Sequence, residues 1–211
     1  MSTHTAELAP DYFSLFSLPR HLNVDLAALE KTFYAQSRRL HPDRFAAKPA
    51  DEQEAALAAS SRLNDAYRTL KEPVSRTEYL LSLEGVQMEE QSRAATDAAK
   101  AAGTAKKQVA PPDLLEEAFE LNMQLEEMRM AKKMGEDDPA TRSDLEAARA
   151  RFTSMLDELG EQLQGLWKDW DAAEDAGDDA AKLKARDAMV ALLNRRSYAR
   201  NLVRDVNEAL E

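Results

Sequence analysis

His41, Pro42 and Asp43 form the tripeptide in this chain best suited to recognition chemistry. Proline has no N–H to continue a helix, and it pushes the preceding residue out of the α region. Pro42 should therefore break the chain between two helices and present His41 and Asp43 on either side of a rigid kink. An exposed carboxylate at such a tip can accept a forked, charge-assisted contact from a partner arginine. Lys31, Arg38 and Arg39 precede the tripeptide. They give it a basic flank that favours an acidic partner surface and speeds encounter. A bare tripeptide of this kind is more simply a helix–helix turn with a proline breaker, so its surroundings decide.

Other chemistries find little support. The chain has no cysteine, which excludes disulfides, thiolate catalysis and cysteine-ligated metal. Its three histidines, His4, His21 and His41, offer no i, i+4 pair for a metal site. No phosphate-cradling glycine loop appears. The glutamates between 116 and 127 sit on an open helix face with no nucleophile or histidine nearby, so they do not make acid–base pairs. We therefore expect no catalytic residue, no metal site and no cofactor. His41 should serve recognition.

The elements that must hold the tripeptide are helices. Asp25 is a good N-cap, and the helix it starts runs to about Leu40. Leu26, Leu29, Phe33 and Leu40 fall within about 60° of one another at 100° per residue and form its core face. Lys31, Ala35 and Arg38 lie opposite. A second helix spans about Asp51 to Leu70, with Leu63, Tyr67 and Leu70 on one face and Pro73 as its stop. A short helix from Val74 to Leu83 closes at Gly85. Trp167, Trp170 and Tyr67 read as packing residues, and His21 as part of a solvated loop.

Residues 87–112 have almost no large apolar side chain and end in Pro111-Pro112, the pattern of a linker or frayed helix. Residues 113–211 read as three long amphipathic helices: about Pro112–Met134, one from Asp138-Pro139, and one after Gly177-Asp178. In the second, Leu145, Phe152, Leu156, Leu159, Leu163, Leu166 and Trp170 follow heptad spacing. In the third, Leu183, Val190, Leu193, Leu202, Val206 and Leu210 supply the apolar positions. Short connections suggest an antiparallel three-helix bundle. The first of these helices carries two apolar stripes. Leu114, Ala118, Leu121, Leu125 and Met128 can face the bundle. Leu115, Phe119, Met123 and Met130 lie about 100–180° away, bordered by Glu116, Glu120 and Glu127. Either the second stripe is a partner surface, or the helix touches both neighbours and both stripes are core.

Charge follows the same division. The 211 residues carry 28 basic and 39 acidic side chains, a net −11. Residues 11–84 hold 10 basic and 11 acidic, leaving the acidity to the rest. So acidic a chain is a poor match for nucleic acid or an anionic membrane. No signal peptide is visible in Met1 to Pro10, and no stretch approaches the roughly 20 apolar residues of a spanning helix. A cytoplasmic protein is the expectation.

The tripeptide between amphipathic helices, with Arg38-Arg39 before it and Asn64-Asp65-Ala66-Tyr67 after it, resembles the J-domain. Asp11-Tyr12-Phe13, Leu15-Phe16, Leu18-Pro19 and the run 73–85 (PVSRTEYLLSLEG) extend the likeness. Together with a cysteine-free, acidic helical C-terminal part lacking a Gly/Phe-rich region, they resemble the HscB family of iron–sulfur co-chaperones. The resemblance implies an all-α fold: a J-domain hairpin over 1–86, a linker over 87–112, and a client-binding helical domain over 113–211. It implies that His41, Pro42 and Asp43, with Lys31, Arg38 and Arg39, bind the DnaK-type chaperone HscA and stimulate its ATPase. It implies that Leu115, Glu116, Phe119, Glu120, Met123 and Glu127 hold the scaffold IscU, with Phe119 and Met123 replacing other residue types of the family. A J-protein with another client, and a structural coiled-coil protein with an incidental turn at Pro42, are the competing readings.

Overall fold

A computed structural model describes residues 10–86, 111–136 and 138–211. The leader assessment at the N-terminus and nearly all of the proposed linker lie outside these residues. Among them, every regular element is helical: α1 (Tyr12–Leu15), α2 (Leu26–Leu40), α3 (Ala50–Lys71), α4 (Pro73–Leu83), α5 (Leu115–Met134), α6 (Pro139–Ala176) and α7 (Asp179–Leu210). Short 3₁₀ turns occupy Pro42–Arg44 and Pro112–Leu114. The all-α expectation holds.

Helix boundaries follow local chemistry. Asp25 accepts hydrogen bonds from the N–H groups of Ala27 and Ala28 at 3.0 and 3.1 Å and so starts α2. Asp11 caps α1 by accepting from the Ser14 N–H at 2.8 Å and also binds Arg20. Burial works to raise the Asp11 carboxyl, but the Ser14 and Arg20 bonds together hold it below the usual carboxylate range. Gly85, Gly135 and Gly177 take positive φ after α4, α5 and α6, as left-handed C-caps require. Asp178 then accepts from the N–H groups of Ala180 and Ala181 and starts α7.

Two compact units result. The first gathers the described part of Met1–Gln87 with Trp167–Arg186; the second gathers that of Met88–Leu166 with Asp187–Glu211. Residues 167–186, which the sequence groups with the C-terminal helices, thus cluster with the J-like part. α6 and α7 each contribute to both units.

In the first unit, Phe13, Phe16, Leu22, Leu29, Leu63, Leu70, Leu80 and Leu81 form the core. Phe33 stacks on Tyr67 with ring centroids 4.2 Å apart, tying α2 to α3. Leu26, expected in this core, is 48% exposed. It occupies the first residue of α2.

The α6–α7 hairpin completes this unit. The Trp167 Nε1–H donates to Thr77 Oγ1 at 3.0 Å, and the Arg76 guanidinium lies 4.8 Å from the Trp167 ring centre. Burial pulls the Arg76 pKa down, opposed by the charges of Asp171 and Glu72. The Trp170 Nε1–H donates to the Arg20 carbonyl at 3.1 Å. The Asp171 carboxylate accepts from the Leu22 N–H, the Asn23 N–H and the Asn23 side-chain amide at 2.7, 3.0 and 2.7 Å. His21 meets Asp175 at 3.0 Å, so its loop is anchored rather than simply solvated.

In the second unit the core draws on three helices: Ala118, Leu121, Leu125 and Met128 of α5, Leu145, Ala148 and Phe152 of α6, and Ala199, Leu202, Val206 and Ala209 of α7. Leu183, expected on the α7 seam and lying in the stretch of α7 grouped with the first unit, is 48% exposed. Ala185 and Met189 take the interior, four residues apart, and that phase turns Leu183 to the other side.

Candidate functional site

The turn at 41–43 is built by its proline. His41 adopts extended backbone (φ −60°, ψ 131°), as a residue before proline must, and ends α2. Pro42 then opens a 3₁₀ turn, and the Phe45 N–H closes it on the Pro42 carbonyl at 2.9 Å. The Asp43 N–H donates to His41 Nδ1 at 3.3 Å. With Nδ1 accepting that bond, Nε2 is the ring nitrogen left to donate. The Asp43 carboxylate is 89% exposed and His41 58%, with His41 Nδ1 3.4 Å from Asp43 Oδ2. The geometry offers an imidazole and a carboxylate to solvent together on one turn.

The helix before the turn carries the cations. Lys31, Arg38 and Arg39 are all exposed on α2. Lys31 and Arg39 flank a shallow groove floored by Ala28, Thr32, Ala35 and Gln36. The one acid of α2, Glu30, accepts from the Tyr67 hydroxyl at 3.5 Å, away from this groove. The face is therefore basic along about three turns and runs into the exposed Asp43.

The other candidate surface lies on α5. Its first stripe is buried: Leu114, Ala118, Leu121, Leu125 and Met128 are each 3% exposed or less. The second stands in solvent, with Leu115, Phe119, Met123 and Met130 at 58, 66, 52 and 55%. Of the two alternatives the sequence left open, the stripe is thus not core. Glu116, Glu120 and Glu127 are exposed beside it. Neighbouring Asp113 pairs with Arg195 of α7 at 2.7 Å.

Reading the sequence missed Arg76, Asp171 and Asp175 as anchors of the J-like unit, and it could not say against what Trp167 and Trp170 pack. A pair of buried indoles, each needing a partner for its N–H, is the only signal that points there. Among the described residues no cluster of histidine, aspartate or glutamate is arranged to hold a metal ion, and no helix is long and apolar enough to cross a membrane.

No profile of a known protein family matches the chain. A curated relative, the co-chaperone protein HscB homolog of Azoarcus sp. (strain BH72), is 33% identical over 205 residues, covering 97% of this chain and 96% of its own. The solved structure of chaperone HscB from Vibrio cholerae aligns with a TM-score of 0.59 at 27% identity, covering 94% of this chain and 96% of its own. Human co-chaperone protein HscB aligns with a TM-score of 0.56 at 22% identity, a likeness of fold.

Proposed function

Since the chain belongs to the HscB co-chaperone family, we propose that it binds the DnaK-type chaperone HscA through His41, Pro42 and Asp43, stimulates that chaperone's ATPase, and delivers the scaffold IscU. Its class is that of J-protein co-chaperones of iron–sulfur cluster assembly, which act with a DnaK-type partner. The observation that carries the proposal is the proline-locked turn, whose 89% exposed carboxylate continues the basic face of α2. A partner is stimulated only if it binds this surface more tightly in its hydrolysis-competent state. His41 and Asp43 supply directional contacts for that discrimination. Lys31, Arg38 and Arg39 supply attraction. The chain hydrolyses no ATP itself in this account, and it works in the cytoplasm.

Delivery belongs to α5. Leu115, Phe119 and Met123 provide an apolar contact, and Glu116, Glu120 and Glu127 give it an acidic edge. In the proposal, residues 1–86 serve the chaperone, 113–211 the client, and 87–112 join the two. Calorimetric titration with purified IscU tests this half. Phe119→Ala and Glu120→Lys should each weaken binding about tenfold or more, as central contacts do. Unchanged affinity in both would assign the surface to another client.

A further inference from the structure

The exposed stripe of α5 does not stop at the residues already assigned to the client. At 100° per residue, Leu115, Phe119, Met123, Met130 and Met134 fall within about 100° of one another, over a length of about 28 Å. All five are more than half exposed, Met130 at 55% and Met134 at 62%. Single apolar side chains in water are ordinary, but five on one helix face, interrupted by Glu126, make a contact surface. Methionine at three of the five positions suits a partner whose shape it must follow.

The charges along the row change sign once. Glu116, Glu117, Glu120, Glu126 and Glu127 are the only ionic side chains of α5 before residue 128, and Arg129, Lys132 and Lys133 the only ones after it. Glu116, Glu120 and Glu127 project along one edge of the stripe; Arg129 and Lys133 project along the other. Glu126 lies on the stripe itself but is turned to Arg129 at 2.5 Å. Acids at the start of a helix and bases at its end also suit the helix dipole. That accounts for the order of the charges, but not for five large apolar side chains left in water between them.

We propose that the client lies along the whole of α5 to Met134, in one direction fixed by this change of charge. The occupant is a protein segment with a row of apolar side chains, cations at the end that meets Glu116 and Glu120, and a carboxylate at the end that meets Lys133. This rests on the client reading above and adds Met130, Met134 and Lys133 to it.

Titration of the full chain with IscU provides the test. Met130→Glu combined with Met134→Glu should weaken binding about tenfold, and Lys133→Glu about threefold, as loss of apolar and of rim contacts does. Because these side chains are exposed, the thermal midpoints should stay at the wild-type value. Wild-type affinity in both variants overturns the extended footprint and leaves the shorter one standing. Failure of the wild-type chain to bind IscU overturns the client reading itself. A wild-type dimer that the double variant converts to monomer, seen by sedimentation, makes the stripe a self-interface and overturns the proposal.

Discussion

At the scale of single residues, Pro42 does more than its two neighbours, because it decides where they point. Without it, α2 could continue and His41 would lie along a helix face. With it, the Asp43 carboxylate is left in solvent beside a half-exposed His41 ring. These consequences were readable from the sequence, since a proline's effect on its own and the preceding residue is local. The cations were readable too: Lys31 and Arg38 are seven residues apart, close to two helical turns. Their contribution should be mainly to encounter. Arg38→Glu with Arg39→Glu should raise the concentration of this protein needed for half-maximal HscA stimulation about tenfold at low salt. The deficit should shrink at high salt, where screening acts. Steady-state ATPase titrations at two ionic strengths measure it. A deficit independent of salt would mean that the arginines make specific contacts rather than steer.

At the scale of elements, the caps and stops were legible and the partners were not. Asp25, Pro42, Pro73, Gly85 and Gly177 each mark a helix end by local chemistry, Asp25 through its side chain and the others through their backbone. The heptad spacing of α6 picked out Leu145, Phe152, Leu159, Leu163 and Trp170, which are buried, but also Leu156 and Leu166, which are only half-buried, and it passed over buried Trp167. Periodicity gives a buried face but not its neighbour, so nothing in it assigned the last turns of α6 to the J-like unit. Leu183 shows the same limit, because a seven-residue pattern admits it while the phase set by Ala185 and Met189 excludes it. The joint has a measurable strength. Trp167→Ala removes a buried indole, its bond to Thr77 and its stacking with Arg76, and should cost about 3–5 kcal/mol. Trp167→Phe keeps much of the packing and should cost only about 1–2 kcal/mol. Denaturant unfolding measures both, and equal, negligible losses would show that the α6–α7 hairpin does not hold the unit together.

At the scale of the whole chain, the two proposed functions fall on surfaces of different chemistry. A basic helix face ends in an exposed aspartate, and an apolar stripe is edged by glutamates. The acidity that composition located outside residues 11–84 is seen again in the five glutamates of α5. Whether the second stripe of α5 was core or surface could not be settled from pattern, because both arrangements satisfy the same periodicity. The fold resolves it by covering one stripe with α6 and α7 and leaving the other open. The central claim, however, rests on the turn at 41–43. Its most direct test is single-turnover ATP hydrolysis by purified HscA, with and without IscU, in the presence of the wild-type chain or His41→Gln. The account predicts strong stimulation by the wild type and its loss with His41→Gln, while IscU binding by the variant is unchanged. Stimulation by His41→Gln equal to that of the wild type would contradict it.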